Sequence, residues 1–223
     1  MPDEKTTDDD GHAPGLVLVA PAGAGAADLA ALRAAFGGRT TGHGIDAVLI
    51  GAGMSEAETM DLAGDQVALV QDHGAAAIVV GHSRAAGRAG ADGLHVETGL
   101  ADIRAAAQSF KPDRILGAGN LTTRHAAMEA GGEGVDYVLF GRLRGDTHPA
   151  PHPKAVELAR WWVELIEVPA ILHAGNSIQG LENLPPGVDF IALDRAVWND
   201  PDGPAAAIGK ARAILTGVAE QVA

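Results

Sequence analysis

Apolar residues in this chain come in short runs separated by amphipathic stretches, and the alternation repeats eight times. Residues 16–20 (LVLVA) form the first run, the pattern of a strand buried on both faces. Residues 26–36 follow with Leu29, Leu32 and Phe36 on one helical stripe. Further strands are predicted at 45–50, 75–80, 93–96, 113–116, 135–140, 169–172 and 188–193. Helices are predicted between them at 55–71, 83–89, 100–109, 122–130, 154–166 and 178–183, and a last one at 204–215 closes the chain. Ser55 with Glu58 three residues on fits a capping box. Eight strand–helix units without a linker predict one α/β domain, a (β/α)8 TIM barrel over residues 15–223. An open doubly wound sheet is the alternative, although no G-x-G-x-x-G follows the first strand. Residues 1–14 are acidic and aperiodic, which reads as a disordered tail. His12 beside Asp8, Asp9 and Asp10 reads there as a solvated charge run rather than a metal site.

The sixth unit breaks the rhythm. Its apolar run meets Gly141 and then Arg142, Arg144, Asp146, Thr147, His148, His152 and Lys154, with prolines at 149, 151 and 153. The prolines exclude a helix interior and a central strand. A buried strand that empties into a cationic loop reads as an anion site, because barrels place their chemistry on the loops after the strands. The same face receives His82, Glu97, Thr98, Asn120, His173, Gly175, Asn176, Ser177, Asp194 and Arg195 from other units. Loops seven and eight are the usual barrel phosphate site. Gly175, Asn176 and Ser177, opening a short helix, can present backbone N–H groups to an oxyanion, and Arg195 can add a clamp. Arg142, Arg144, Thr147, Asn120 and Asp194 complete the candidate ligand-binding set. His148 and His173 are the acid–base candidates. His95, within a strand, reads as a hydrogen-bonded core histidine. The prolines prevent His148 and His152 from forming a helical metal pair, and no carboxylate pair stands near them at a recognised spacing, so no metal site is expected.

Bulk properties narrow the partners. The net charge of −13 argues against nucleic acid and against an anionic membrane surface, and makes any anion site a local basic pocket. No apolar run approaches membrane-spanning length. The absence of cysteine removes disulfides and thiolate metal sites, and a cytoplasmic location is the default. The expected partner is a small anionic or heterocyclic ligand. Trp161 and Trp162 mark the sixth helix as a candidate homodimer face, with one of the two turned to the core because adjacent helix positions point about 100° apart.

Four phrases carry a family resemblance. Residues 90–96 (GADGLHV) resemble "GADGVHL", and residues 134–141 (GVDYVLFG) resemble "GADYVGFG". Residues 169–175 (PAILHAG) resemble "PVVAIGG", and residues 187–196 (GVDFIALDRA) resemble "GADGVAVVSA". From about residue 16 to 215 the chain is similar to thiamine-phosphate synthase and its tautomerase relatives. The resemblance implies a TIM barrel and a transferase of thiamine biosynthesis. In that reaction a pyrimidine pyrophosphate loses pyrophosphate and a thiazole phosphate captures the cation, with Mg2+ as cofactor where synthase activity is retained. The family's chemical motifs are replaced here. "QLRxK" after the second strand reads as residues 48–53 (VLIGAG), without a cation. "ND" after the third reads Val80-Gly81, and "LGQxD" after the fourth reads as residues 96–100 (VETGL), without its aspartate but with Glu97 and Asp102 nearby. The serine after the fifth strand becomes Gly119 beside Asn120, and "GPIxxTxTK" becomes residues 141–149, with Thr147 in a threonine's place. The expectation is a divergent member that binds a small phosphorylated or heterocyclic ligand without Mg-dependent coupling. A metal-free thiazole-phosphate tautomerase or isomerase using His148 or His173 is one alternative, and a non-catalytic ligand-binding or partner subunit is another.

Overall fold

The computed structural model describes residues 13–23, 25–37 and 44–222. Eight parallel strands close into a barrel: β1 (Gly15–Val19), β2 (Ala47–Ile50), β3 (Ala76–Val80), β4 (Gly93–Val96), β5 (Ile115–Ala118), β6 (Tyr137–Phe140), β7 (Ala170–His173) and β8 (Phe190–Leu193). β8 pairs back onto β1, with Leu16 opposite Ile191, which excludes the open sheet. The outer layer is α1 (Ala26–Ala35), α2 (Glu56–Asp72), α3 (Ser83–Ala89), α4 (Leu100–Phe110), α5 (Arg124–Gly131) and α6 (Pro153–Leu165). A 3-10 segment, Ile178–Asn183, stands where a helix would follow β7. After β8 come α7 (Arg195–Trp198), a helical turn that the apolar pattern does not announce, and α8 (Pro204–Val222), longer than expected.

Strand alternation sorts the core into two layers. Val17, Val19, Leu49, Ile78, Val80, Tyr137, Leu139 and Ile171 fill the barrel. Their neighbours Leu16, Leu18, Val48, Ile50, Leu116, Val138, Leu172 and Leu193 face the helices. Four aspartates seal the N-terminal rim. Asp46, Asp92, Asp136 and Asp189 precede β2, β4, β6 and β8. Each accepts a backbone N–H near the start of the preceding strand, from Leu16, Ala77, Leu116 and Ala170, at 2.6–2.7 Å. Two residues before each lies a glycine in the left-handed region, Gly44, Gly90, Gly134 and Gly187, with φ between 68° and 77°. The carboxylates stand in for carbonyls that the sheet does not supply at its edge.

Strand boundaries move by one or two residues, and two of the shifts bear on the site. β5 begins two residues after the expected start and runs through Gly117. That glycine is a strand position by necessity, since a Cβ there would run into the Tyr137 ring of β6, its register neighbour. β7 extends to His173, which is therefore a strand residue. The Ser55–Glu58 capping box forms, with Ser55 N–H donating to Glu58 Oε2 at 2.8 Å. Trp162 is fully buried and donates to Val168 O at 2.7 Å, while Trp161 is half-buried beneath the Arg124 guanidinium, 5.1 Å from its ring centre. The acidic run with His12 lies outside the described residues. Among the described residues, no helix is long and apolar enough to cross a membrane.

Candidate functional site

The loop after β6 closes over the C-terminal mouth of the barrel. Gly141, at φ 113°, begins it where a Cβ would stand 2.6 Å from His173 Cβ. A tight turn follows, in which Asp146 Oδ2 accepts Arg142 N–H at 2.8 Å and Asp146 N–H donates to Arg142 O at 3.2 Å. Arg144 sits at its tip with φ 61°, a conformation that costs a non-glycine residue about 1–2 kcal/mol. Its side chain crosses the mouth. Nη1 pairs with Asp194 Oδ1 at 2.5 Å, beyond β8, and Nη2 donates to Ala20 O beyond β1. Its stem lies 3.3 Å from where a Cβ on Gly53 would stand, beyond β2. Leu143 is buried beneath in the interior layer.

The proline-rich half lies outside the mouth, on the loop after β7. His148 O accepts Asn176 N–H at 2.9 Å, Pro149 O accepts Ser177 N–H at 3.1 Å, and Asn176 Nδ2 donates to Asp146 O at 3.2 Å. A Cβ on Gly175 would stand 2.6 Å from Ala150 O. The backbone donors of Asn176 and Ser177, expected to face an oxyanion, are thus engaged by the chain itself. Ser177 Oγ donates to Gln179 Oε1. His148 and His152 are exposed: His148 Nδ1 accepts Ala150 N–H, and His152 caps α6 by accepting Lys154 N–H. Thr147, Arg142 and Arg195 are exposed at the rim. Arg144, His173, Asn176 and Asp194 come together at the mouth, together with Asp146. Asn120 stands across from them and donates to Glu97 O at 3.3 Å.

Among the described residues, five buried side-chain polar atoms lack a hydrogen-bond partner, and four belong to the mouth: His95 Nε2, Arg144 Nε, His173 Nε2 and Asn176 Oδ1. The other ring nitrogen of each histidine is engaged. Tyr137 OH and His95 Nδ1 share a hydrogen bond at 3.0 Å, which leaves His95 Nε2 as the unpartnered ring nitrogen. Gly175 N–H donates to His173 Nδ1 at 3.4 Å, so His173 carries its hydrogen on Nε2. The N–H donors of Arg144 Nε and His173 Nε2 therefore stand at the mouth without acceptors, and His95 Nε2 is unpartnered as well.

Burial sets the charges. It lowers the pKa of His95 to about 3 and keeps that ring neutral. It also lowers His173, with Asp146 opposing and Arg144 reinforcing the shift. Asp194 is raised by burial against the pull of Arg144 and Arg195. Glu97 is pushed up to about 7 by burial. Glu97 is the functional candidate absent from the expected set. The strand period signals it, since residue 97 continues the inward face of Gly93 and His95.

A model of the thiamine monophosphate synthase family matches residues 16–197. The chain belongs to this family. Thiamine-phosphate synthase of Rhodospirillum centenum is 36% identical over 151 residues, covering 67% of this chain and 73% of that one. The enzyme of the same name from Hyphomonas neptunium is 31% identical over 163 residues, covering 72% and 74%. The solved thiamine phosphate pyrophosphorylase of Pyrococcus furiosus superposes with a TM-score of 0.71 over 94% of this chain and 98% of its own, at 21% identity, and shares the fold. As the mouth of a thiamine monophosphate synthase family member, this one does not fit magnesium. Asp146 is engaged with Arg142, Asp194 is paired with Arg144, and Glu97 stands apart. After β3 stand Gly81 and then His82, whose Nε2 meets Met54 O at 2.9 Å. Among the described residues no three His, Asp or Glu side chains come together.

Proposed function

We propose that this family member binds a small, acceptor-rich ligand, phosphorylated or heterocyclic, at the barrel mouth and does not carry out magnesium-dependent coupling. The observation that carries the reading is that four of the five unpartnered buried polar atoms among the described residues, on His95, Arg144, His173 and Asn176, belong to this end of the barrel. A buried donor without an acceptor costs about 1–3 kcal/mol, which a ligand acceptor would recover. Net charge repels anions at long range, so the attraction is short-range and local. Melting curves with inorganic phosphate, pyrophosphate and thiazole phosphate test the reading. A ligand at about 100 times its Kd adds about 2.7 kcal/mol of stability. A synthase assay with both substrates and Mg2+ should give no turnover, and robust turnover would overturn the divergence.

A second reading, a metal-free tautomerase or isomerase of a thiazole phosphate, is favoured by His173, whose pKa burial lowers and whose Nε2 has no partner. His148, exposed on the outer loop, is the weaker candidate for that role. A non-catalytic ligand-binding subunit predicts the same melting shift without turnover.

A further inference from the structure

The fifth unpartnered buried atom lies away from the mouth. Gln66 falls on the buried stripe of α2 with Leu62, Ala63 and Val70, where the helical period asks for an apolar side chain. It is 2% exposed, and its Oε1 has no hydrogen-bond partner among the described residues. Gln66 lines a cavity of about 230 Å3 between α2 and the start of α1. Gly23, Gly25 and Leu29 form the α1 side, and Asp61 and Asp65 stand with Gln66 on the α2 side. A Cβ on Gly23 would meet the Asp28 carboxylate at 2.1 Å, which puts a third acid beside this turn. Asp61 and Asp65 are exposed, one helical turn apart, and neither has an ion-pair partner among the described residues. The cavity lies on the flank of the barrel and shares none of these residues with the mouth.

We propose that this cavity binds a small organic cation, a primary ammonium group on a short alkyl stem. An ammonium carries three N–H donors and no acceptor, and the α2 wall offers acceptors only: the Gln66 amide oxygen and two carboxylates. No hydrogen bond among the described residues fixes the Gln66 amide, so turning Oε1 toward a donor breaks nothing. A buried carbonyl without a donor is a standing cost, and the ammonium removes it. Two like charges four residues apart on a helix repel, and a cation between them relieves that repulsion. The chain's net charge of −13 draws cations in, the reverse of its effect on an anion at the mouth. Leu29 and the glycine backbone give the stem an apolar wall without side chains in its way. A metal ion is the poorer fit: among the described residues no three His, Asp or Glu side chains come together, and hard cations such as calcium take six or more oxygen ligands.

The test is a set of melting curves of the full chain, at constant ionic strength, with n-butylammonium and with tetramethylammonium, which carries the same charge and no N–H. The first should raise the melting temperature in a saturable way, and the second should not. Gln66→Leu should raise the half-saturating concentration about tenfold while making the ligand-free chain melt higher, because an unpaired polar group leaves the interior. Asp65→Asn, on the surface and without consequence for the core, should raise half-saturation about threefold. An equal rise with tetramethylammonium overturns the proposal, since charge alone would then account for the effect. An unchanged half-saturation in either variant overturns it as well. So does the absence of any rise with n-butylammonium, which would leave Gln66 Oε1 to a buried water.

Discussion

At the N-terminal rim the barrel solves one problem four times in the same way, whereas at the C-terminal mouth no two loops are alike. Each rim aspartate finds a backbone N–H within 2.7 Å. The mouth, by contrast, holds four of the five buried side-chain polar atoms without a partner among the described residues. Saturated hydrogen bonding marks a surface selected for stability, and polar groups left waiting mark one held ready for something else. The exception at the mouth is the Arg144–Asp194 ion pair, made at 2.5 Å and mostly buried, although Arg144 Nε itself has no partner.

Substitutions can break this contrast or sharpen it. The largest effect is expected at the exception. Asp194→Ala leaves the Arg144 guanidinium without its counter-charge and should cost about 3 kcal/mol in urea unfolding. A loss under about 1 kcal/mol would mean that the loop is not tied down by this pair. At the rim, Asp92→Ala strands the Ala77 N–H and should cost about 2 kcal/mol. Combining it with Asp189→Ala, on the other side of the barrel, should add within about 0.5 kcal/mol. The third effect depends on pH. The folded chain holds the Glu97 proton up to about pH 7, above the ordinary 4.5, so ionising this group opposes folding. Stability should fall as pH rises from 4.5 to 7 and flatten above. Glu97→Gln removes that loss and should be more stable by about 2 kcal/mol at pH 8, with little difference at pH 4, as melting curves at the two pH values can check. Smaller still, His173→Leu should raise stability by about 1 kcal/mol by removing an unpaired buried polar atom, while abolishing the ligand-induced melting shift. The smallest effect is expected for His148→Ala on the outer loop: less than about 0.5 kcal/mol and an unchanged melting shift.

Legibility in the sequence divides along the same line. The strand runs declare themselves because both faces of a parallel strand are apolar, and all eight strands fall within two residues of their expected places. β5 is displaced because a glycine punctuates most sequences, whereas Gly117 is a strand residue that makes room for a ring twenty positions on. At the mouth, the positions of His173, Asn176, Asp194 and Arg144 are readable from strand ends. Their alliances are not, because the Arg144–Asp194 pair spans fifty residues and depends on a left-handed turn at an arginine. Nor does the sequence announce that the proline-rich carbonyls would take up the N–H groups of Asn176 and Ser177. Glu97 is readable as an inward position but not as an acid–base group, since its proton affinity comes from burial by neighbouring loops.

The rim aspartates also divide the closed barrel into modules. Each ties an even strand to the odd strand before it, so β1–β2, β3–β4, β5–β6 and β7–β8 are each stapled internally, while the four seams between pairs carry no such staple. Across three of those seams the main chain of the same residues takes over: the carbonyls of Asp46, Asp92 and Asp189 accept the N–H groups of Ala76, Ile115 and Gly15 at 2.8–2.9 Å. Arg144 reaches from the third unit to the first and the fourth. The side chain that roofs the mouth is thus also a clasp between units, at the end of the barrel opposite the aspartates.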